Sequence, residues 1–244
     1  MSELPLSYPD WPPVPGVHAL STRRGGGVSA GVYATLNLVD HVGYEPSHVI
    51  ENRRRLRAAA RLPAEPCWLR QVHGNRVIDL DASPADLTGD AALTRRTGVV
   101  CAVLTADCLP VLFTARSGAC IAAAHAGWRG LAAGVLETVV AAMGLPPAQL
   151  QAWIGPGIGP GHFEVGPEVR EVFVDVDAGA ASCFKAKDGR FMADLGGLAR
   201  RRLARLGVGR VDSADECTFA DVRSCFSHRR EGRCGRHATL IWKS

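Results

Sequence analysis

The sequence predicts an α+β fold, and three observations support this class. Short runs rich in β-branched and apolar residues at 99–104, 111–113 and 238–242 are typical of strands. Runs with helical periodicity at 47–61 and 167–174 are typical of amphipathic helices. Strands and helices are mixed along the chain without strict alternation, which favours α+β over a doubly wound parallel sheet.

The first predicted helix spans residues 47–61, and Ser47 is a suitable N-cap for it. At about 100° per residue, Asn52 and Arg53 fall on the same face as Leu56. An arginine that faces inward needs a partner, because a buried unpaired charge is costly. Arg53 is therefore expected to pair with a structural carboxylate or to bind the anionic part of a substrate.

The middle of the chain predicts a strand at 119–124 that leads into a helix over 127–143, where apolar residues recur at four-residue steps. Gly144 and the prolines after it end this helix. A strand at 151–154 and a helix at 195–206 follow. We find no repeat or linker, so the prediction is one domain over the whole chain.

Composition limits the classes of function. The chain has 244 residues, of which 47% are hydrophobic and 21% charged, as in globular proteins. A net charge of +4 is too small to indicate a nucleic-acid partner. No signal peptide and no run long enough to cross a bilayer is evident. We therefore expect a cytoplasmic protein without a membrane partner, a monomer or a homodimer, with its eight cysteines reduced.

Three candidate ligands, His73, Cys108 and His125, lie in predicted turns or at strand ends. Two imidazoles and one thiolate suit a catalytic zinc site whose fourth position stays free, and the same ligands admit copper. Their spacing is not that of a close-set ligand pair. Residue types alone leave three interpretations open: a metal site, a thiol nucleophile with its base, or ordinary structural residues.

Candidate substrate contacts lie near these ligands in the sequence. Gly127 opens a predicted helix beside Arg129, and helix N-termini bind anions such as phosphate. The alternative is that the glycines only permit close packing and Arg129 points to solvent. Glu164, in a glycine- and proline-rich loop, is a candidate acid, base or ribose contact, although a structural role is favoured. The basic stretch at 226–232 and 235–236 is expected to be a solvated turn, with an anion contact as the alternative.

Four motifs occur in order along the chain: Gln-Val-His-Gly at 71–74, Ala-Asp-Cys-Leu-Pro at 106–110, His-Ala-Gly-Trp-Arg-Gly at 125–130 and Gly-Pro-x-Ile-Gly-Pro at 155–160. Together they resemble the family long labelled multicopper polyphenol oxidase or laccase-like, whose bacterial members are described as purine nucleoside phosphorylases of the YfiH type. The resemblance spans nearly the whole chain, with further matches at 22–26, 36–38, 41–43, 52–53 and 229–236.

The resemblance implies a four-layer α/β/β/α arrangement in which a mixed β-sheet sandwich is flanked by helices. It implies that His73, Cys108 and His125 bind a zinc ion in the active site. It further implies phosphorolysis of adenosine, inosine, guanosine and methylthioadenosine, with adenosine deamination as a side activity. On this interpretation Arg53 and Arg129 are expected to hold phosphate.

Three other functions are compatible with the sequence. A cysteine hydrolase would use Cys108 as nucleophile and His125 as base, and the fold of the family is similar to that of a toxin deamidase. Relatives are also linked to editing of peptidoglycan precursors. A zinc-stabilised interaction module is the non-enzymatic alternative. The polyphenol oxidase label fits poorly, because a laccase needs many histidine ligands and this chain has eight histidines without a close-set pair.

Overall fold

The computed structural model describes residues 4–40 and 44–244, so the motif at 41–43 lies outside the described residues. The strands in these residues are β1 (Leu6–Ser7), β2 (Val17–Thr22), β3 (Val77–Asp79), β4 (Ala91–Thr94), β5 (Val100–Thr105), β6 (Leu109–Ala115), β7 (Ile121–Ala126), β8 (Leu150–Ile154), β9 (Glu164–Val165), β10 (Phe184–Lys187), β11 (Arg190–Ala193), β12 (Arg210–Ser213) and β13 (His237–Lys243). The helices are α1 (Pro46–Ala59), α2 (Trp128–Ala132), α3 (Val135–Met143), α4 (Pro167–Val174), α5 (Leu195–Arg205) and α6 (His228–Glu231).

The strands form three sheets. An antiparallel four-stranded sheet has the order β1-β2-β13-β5. A mixed six-stranded sheet has the order β12-β8-β6-β7-β4-β3, with antiparallel pairs in its centre and a parallel pair at each edge. A small antiparallel sheet has the order β10-β11-β9. The mixed strand directions confirm the α+β prediction.

Strand β5 is buried on both faces, because successive side chains point to opposite sides of a strand. Val100, Ala102 and Leu104 pack in an apolar cluster with Leu56 of α1. The intervening side chains of β5 enter a second cluster, which lies between the two large sheets. This second cluster comprises Leu69, Ile78, Leu80, Ala92, Cys101, Val103, Leu112, Ile121, Ala123, Trp153 and Ile241.

Strand β6 shows the same alternation one layer further on. Leu112 faces the four-stranded sheet, whereas Val111 and Phe113 face the helices α2 to α5. Those helices contribute apolar residues such as Val139 and Leu198 to the same cluster. The layers are therefore α1, the four-stranded sheet, the six-stranded sheet and α2 to α5. This order confirms the α/β/β/α sandwich that the resemblance implied.

Two sequence-based details are wrong. The predicted single helix over 127–143 is two helices, because Gly134 adopts a left-handed backbone with φ +86° and separates α2 from α3. Ser47 is not the cap of α1. The helix begins one residue earlier, at Pro46, and the side chain of Glu45 accepts a hydrogen bond from the Ser47 amide. The helix begins at Pro46 because the fixed φ angle of proline suits the first helical position.

Other predictions hold. Helix α4 has the predicted bounds, and the predicted strands lie within one or two residues of β5, β7, β8 and β13. All eight cysteines, which lie in the described part of the chain, are free thiols. No helix among the described residues is long and apolar enough to span a bilayer. The inward face of α1 carries Asn52, as predicted, and this side chain is fully buried.

Asn52 ties α1 to the loop that precedes it. Its Oδ1 atom accepts from the Val28 amide at 2.8 Å, and its Nδ2 atom donates to Ser29 Oγ at 3.0 Å and to the Asn37 carbonyl at 2.9 Å. A buried polar group that loses its partner costs about 1–3 kcal/mol. The amide therefore stabilises this edge of the sandwich through several bonds at once.

We expect Asn52→Ala to lower the free energy of unfolding by roughly 2–4 kcal/mol, because it leaves buried amide and carbonyl groups of the loop without partners. The matched control on the same helix is Arg54→Ala, since Arg54 is largely exposed and, among the described residues, forms an ion pair with Glu51 alone. The control should change stability by less than about 0.5 kcal/mol. Urea denaturation of both variants measures the difference, and equal stabilities would refute the role of Asn52.

Candidate metal centre

His73, Cys108 and His125 converge in the folded chain. Their ligand atoms all lie within 4.8 Å of one another. Within residues 4–40 and 44–244, this is the one group of three or more His, Cys, Asp or Glu side chains that is placed to hold a metal ion. His73 is exposed, Cys108 is half-buried and His125 is buried. The cluster therefore has an inner side held by the protein and an outer side open to solvent.

Three separate segments present these side chains. Cys108 lies in the turn between β5 and β6, and His125 lies near the end of β7, paired with Pro110 of β6. His73 lies in the loop before β3. His73 and Asp107 have φ angles of 60° and 89°. This left-handed backbone is uncommon for residues other than glycine, and such positions often cluster at functional sites.

Asp90 organises the cluster, and sequence reasoning missed it. Its side chain is fully buried directly before β4. One carboxylate oxygen accepts from the His73 amide at 2.9 Å and lies 2.8 Å from His125 Nδ1. The other accepts from the amides of Val72 at 3.1 Å and Gly74 at 2.7 Å. A single carboxylate thus positions the loop of one candidate ligand and the ring of another.

A signal for Asp90 was present in the sequence. The residue stands between Gly89 and the apolar run Ala-Ala-Leu that begins β4. A carboxylate at the edge of an apolar strand is buried with it, and a buried carboxylate requires several donors. Such a residue is a candidate for positioning a site, but the sequence does not show which donors it meets.

Cys108 and His125 shift each other's pKa. Burial by itself raises the pKa of the Cys108 thiol, but attraction to His125 and hydrogen bonds from His125 and His73 outweigh burial and lower the pKa to about 6. Burial opposes the charge of His125 as well, yet Cys108 and Asp90 raise its pKa to about 9. Without a metal, the pair is therefore a thiolate and an imidazolium at neutral pH.

Two glycines let the backbone approach the cluster closely. A Cβ atom on Gly127 would lie 2.8 Å from Cys108 Sγ and 3.2 Å from His73 Cδ2. A Cβ atom on Gly130 would lie 2.8 Å from the Gly74 carbonyl oxygen. Both glycines thus permit close packing around the cluster. His125 Nδ1 is engaged by Asp90, which leaves its Nε2 atom for a ligand. The residues present fit a zinc or copper ion.

A cavity of about 190 Å³ opens beside the cluster. It contains two basic side chains of the C-terminal segment, His228 and Arg236, which were expected to form a solvated turn. Gln71 is held in the wall by two hydrogen bonds with the backbone of Leu104, at 2.8 and 2.9 Å. The full lining is Val39, Gln71, His73, Leu104, Thr105, Ala106, Cys108, His125, His228 and Arg236.

Arg53 does not line this cavity. Its Nε atom donates to the Leu38 carbonyl at 3.0 Å, and its Nη2 atom donates to Asp40 at 3.3 Å. The guanidinium also stacks over Trp68, with 4.4 Å to the ring centroid. Arg53 thus has a carboxylate partner, which was one of the two alternatives that the sequence left open, and its role toward substrate stays a prediction.

Arg129 and Glu164 do not line the cavity either. Arg129 is exposed and stacks over the neighbouring Trp128 at 4.4 Å, as in the close-packing alternative. Glu164 lies in β9, where its carboxylate pairs with Lys187 at 3.3 Å and Arg190 at 3.2 Å. Substrate roles for these residues stay predictions, because no contact among the described residues connects them to the metal cluster.

The chain matches a family model described as "Multi-copper polyphenol oxidoreductase laccase" over residues 17–244. The chain belongs to this family. Its relatives include "Purine nucleoside phosphorylase YfiH" of Escherichia coli strain K12, which is 50% identical over 238 residues that cover 97% of this chain and 98% of the relative. A purine nucleoside phosphorylase of Pseudomonas aeruginosa is 51% identical over 236 residues, covering 96% of each chain.

Solved structures of the family have the same architecture. A crystal structure of a Neisseria meningitidis protein superposes with a TM-score of 0.93 at 43% identity and covers 100% of both chains. YlmD from Geobacillus stearothermophilus superposes with a TM-score of 0.87 at 30% identity, covering 96% of this chain and 94% of YlmD. The family model carries a multicopper name, but the described residues of this family member hold one three-ligand cluster.

Replacement of Asp90 should weaken metal binding. In Asp90→Asn an amide nitrogen faces backbone N–H donors or the ring of His125, so the orientation of both imidazoles is lost. We expect zinc affinity to fall about 10- to 100-fold, which is typical when a partner of a metal-binding histidine is removed. Competition with a chromophoric chelator measures this. The control is Asp86→Asn, an exposed aspartate of the same segment, and equal affinities in the two variants would contradict the role of Asp90.

The reactivity of Cys108 should reveal its lowered pKa. In metal-free protein, alkylation by iodoacetamide should rise with pH around a midpoint of about 6, because the thiolate is the reactive form. In His125→Asn the midpoint should rise, because the attraction that favours the thiolate is removed. Mass spectrometry of the modified peptide measures the rate at each pH. A wild-type midpoint at or above about 8.5, the value of an ordinary thiol, would show that the interaction is absent.

Proposed function

We propose that this protein is a zinc-dependent purine nucleoside phosphorylase that acts on adenosine, inosine, guanosine and methylthioadenosine, with adenosine deamination as a side activity. The observation that carries the proposal is the convergence of His73, Cys108 and His125 beside an open cavity. Relatives with about half of their residues identical bear the name purine nucleoside phosphorylase. Zinc suits two imidazoles and one thiolate with a free fourth position, and copper is the alternative metal.

Phosphorolysis breaks the bond between the purine nitrogen and ribose C1′ and forms a bond from a phosphate oxygen to C1′. The purine leaves with the electron pair and takes up a proton, and ribose 1-phosphate is the second product. A metal held by His73, Cys108 and His125 would supply Lewis-acid polarisation of a substrate oxygen, nitrogen or water molecule. Deamination, in which water replaces the purine amino group and ammonia leaves, would draw on the same polarisation.

The chain's own residues perform three tasks in this proposal. Asp90 keeps His125 oriented by accepting from its Nδ1 atom, so that Nε2 faces the shared centre. Gln71 fixes the loop of His73 to β5 through the backbone of Leu104. The walls of the cavity orient the nucleoside, which lowers the entropic cost of bringing phosphate to C1′.

A cysteine hydrolase is the second candidate, and one observation favours it. Cys108, His125 and Asp90 form a series of thiol, imidazole and carboxylate, which is the arrangement that activates a nucleophile. The pKa of Cys108 is low enough for a thiolate at neutral pH. The two functions differ in what inhibits them: a thiol enzyme survives chelation and is inactivated by alkylation.

Purified zinc-loaded protein should convert inosine and phosphate to hypoxanthine and ribose 1-phosphate. A strong chelator should abolish the conversion and added zinc should restore it, because the three ligands hold the metal reversibly. His73→Ala should lower kcat/KM at least about 100-fold, which corresponds to roughly 2.7 kcal/mol of lost transition-state stabilisation. Chromatography of the products measures the rate.

Two controls keep this test specific. Arg54→Gln, on the exposed face of α1, should retain wild-type kcat/KM. A circular dichroism melting curve of His73→Ala distinguishes a lost active site from a lost fold, and a large drop in melting temperature would favour the zinc-stabilised interaction module. No turnover of any of the four nucleosides by the zinc-loaded or copper-loaded protein would refute the proposed function.

A further inference from the structure

We propose that Arg236, assisted by His228, forms an oxyanion subsite in the cavity beside the metal cluster, and that inorganic phosphate is its ligand. The proposal rests on the proposed function and names the residues that hold its second substrate. Both residues belong to the C-terminal segment, far in sequence from the three metal ligands. Both line the same cavity as His73, Cys108 and His125.

The guanidinium of Arg236 is only half used by the protein. Its Nη1 atom donates to the carbonyls of Cys234 at 3.0 Å and Gly235 at 3.1 Å, and it contacts Cys234 Sγ at 3.3 Å. A guanidinium has five N–H groups, of which Nη1 carries two. The Nε and Nη2 atoms make no hydrogen bond to the described residues, and neither is among the buried atoms without partners. That side of the guanidinium is therefore open to solvent.

The open side is the one that recognises oxyanions. Nε–H and one Nη2–H point in parallel, and such a pair binds two oxygens of a phosphate or carboxylate at once. Arg53 provides the contrast within this chain. Its Nε and Nη2 atoms are already occupied by the Leu38 carbonyl and Asp40. The parallel pair of N–H donors that is occupied in Arg53 is thus free in Arg236.

The charge of the cavity favours an anion. Its lining contains no Asp or Glu, and no carboxylate of the described residues is paired with Arg236 within 4.0 Å. A half-buried guanidinium without a carboxylate partner binds an anion more strongly than an exposed one, because less water screens the interaction. The cavity therefore offers a phosphate dianion the guanidinium of Arg236, whose charge no carboxylate of the described residues neutralises.

His228 supplies the complementary hydrogen-bonding group. Its Nδ1 atom contacts the carbonyl oxygen of Gly232, which only accepts, so the neutral ring carries its proton on Nδ1. The other ring nitrogen then has a free lone pair. This nitrogen accepts from the protonated oxygen of a phosphate or from a ribose hydroxyl. Arg236 and His228 together therefore offer donors and an acceptor to one ligand.

The subsite is anchored to the rest of the fold. The Arg236 amide donates to Asn37 Oδ1 at 3.1 Å, and β13 begins at the next residue. The Arg229 amide donates at 2.6 Å to the carboxylate of Asp107, the residue before Cys108 in the sequence. The same carboxylate accepts from Thr218 Oγ1 at 2.7 Å. These bonds hold the segment that carries Arg236 against the turn that carries a metal ligand, so the subsite is preorganised.

Phosphate titration of zinc-loaded protein by calorimetry, without nucleoside, tests the subsite directly. Arg236→Gln should weaken phosphate binding at least about ten-fold, because the bidentate charged contact is lost. In steady-state assays the KM for phosphate should rise by a similar factor, whereas the KM for inosine should change less than about two-fold. Arg236→Lys, which keeps the charge but lacks the fork, should fall between wild type and Arg236→Gln.

The controls separate this proposal from its rivals. Arg54→Gln should bind phosphate as wild type does. Unchanged phosphate affinity in Arg236→Gln, or a loss confined to Arg53→Gln or Arg129→Gln, would overturn the proposal. If Arg236→Gln does not fold, wild-type phosphate affinity in Arg236→Lys or His228→Ala overturns it equally. Phosphate binding that depends on Arg236 in a protein without phosphorolysis would support the subsite and refute the proposed function.

Discussion

The candidate site depends on one buried carboxylate. Asp90 accepts hydrogen bonds from three consecutive backbone amides of the loop that carries His73 and from the ring of His125. These bonds keep the pKa of Asp90 below its ordinary range although burial opposes its charge. Because a buried charge without donors costs several kcal/mol, the loop and the ring are held where the carboxylate needs them. The need of the Asp90 carboxylate for hydrogen-bond donors thus positions both imidazoles.

The sandwich provides the rigid frame for this carboxylate. Asp90 directly precedes β4 of the six-stranded sheet, and its carbonyl accepts from the His125 amide of the neighbouring strand β7 at 2.7 Å. Cys108 lies where the chain passes from the four-stranded sheet into the six-stranded sheet. The cluster thus forms at neighbouring strand ends, where the chain passes between the two sheets. Strands buried on both faces move little, and this explains how residues from separate segments meet within a few ångströms.

The site presents two kinds of binding group, one suited to a metal ion and one suited to an oxyanion. Two imidazoles and a thiolate form the inner side of the cluster, where they suit a zinc or copper ion. The C-terminal segment adds the guanidinium of Arg236 on the cavity wall, where an oxyanion is the matching ligand. The nucleoside and the phosphate of the proposed reaction would together use both kinds of binding group. The multicopper name of the family model describes a different kind of centre from the single cluster in the described residues.

The sequence by itself predicted the fold class, most strands and helices, and three side chains that the fold brings together, because periodicity, residue type and motif order are local properties of the chain. It did not predict the role of Asp90, and it left open whether Arg236 lies in a solvated turn or contacts an anion. It also left open whether Arg53 pairs with a carboxylate or binds substrate. Only the tertiary structure decides which donors surround a carboxylate and which side of a guanidinium stays open. Those outcomes depend on neighbours that are remote in sequence, and packing of the two sheets brings them together.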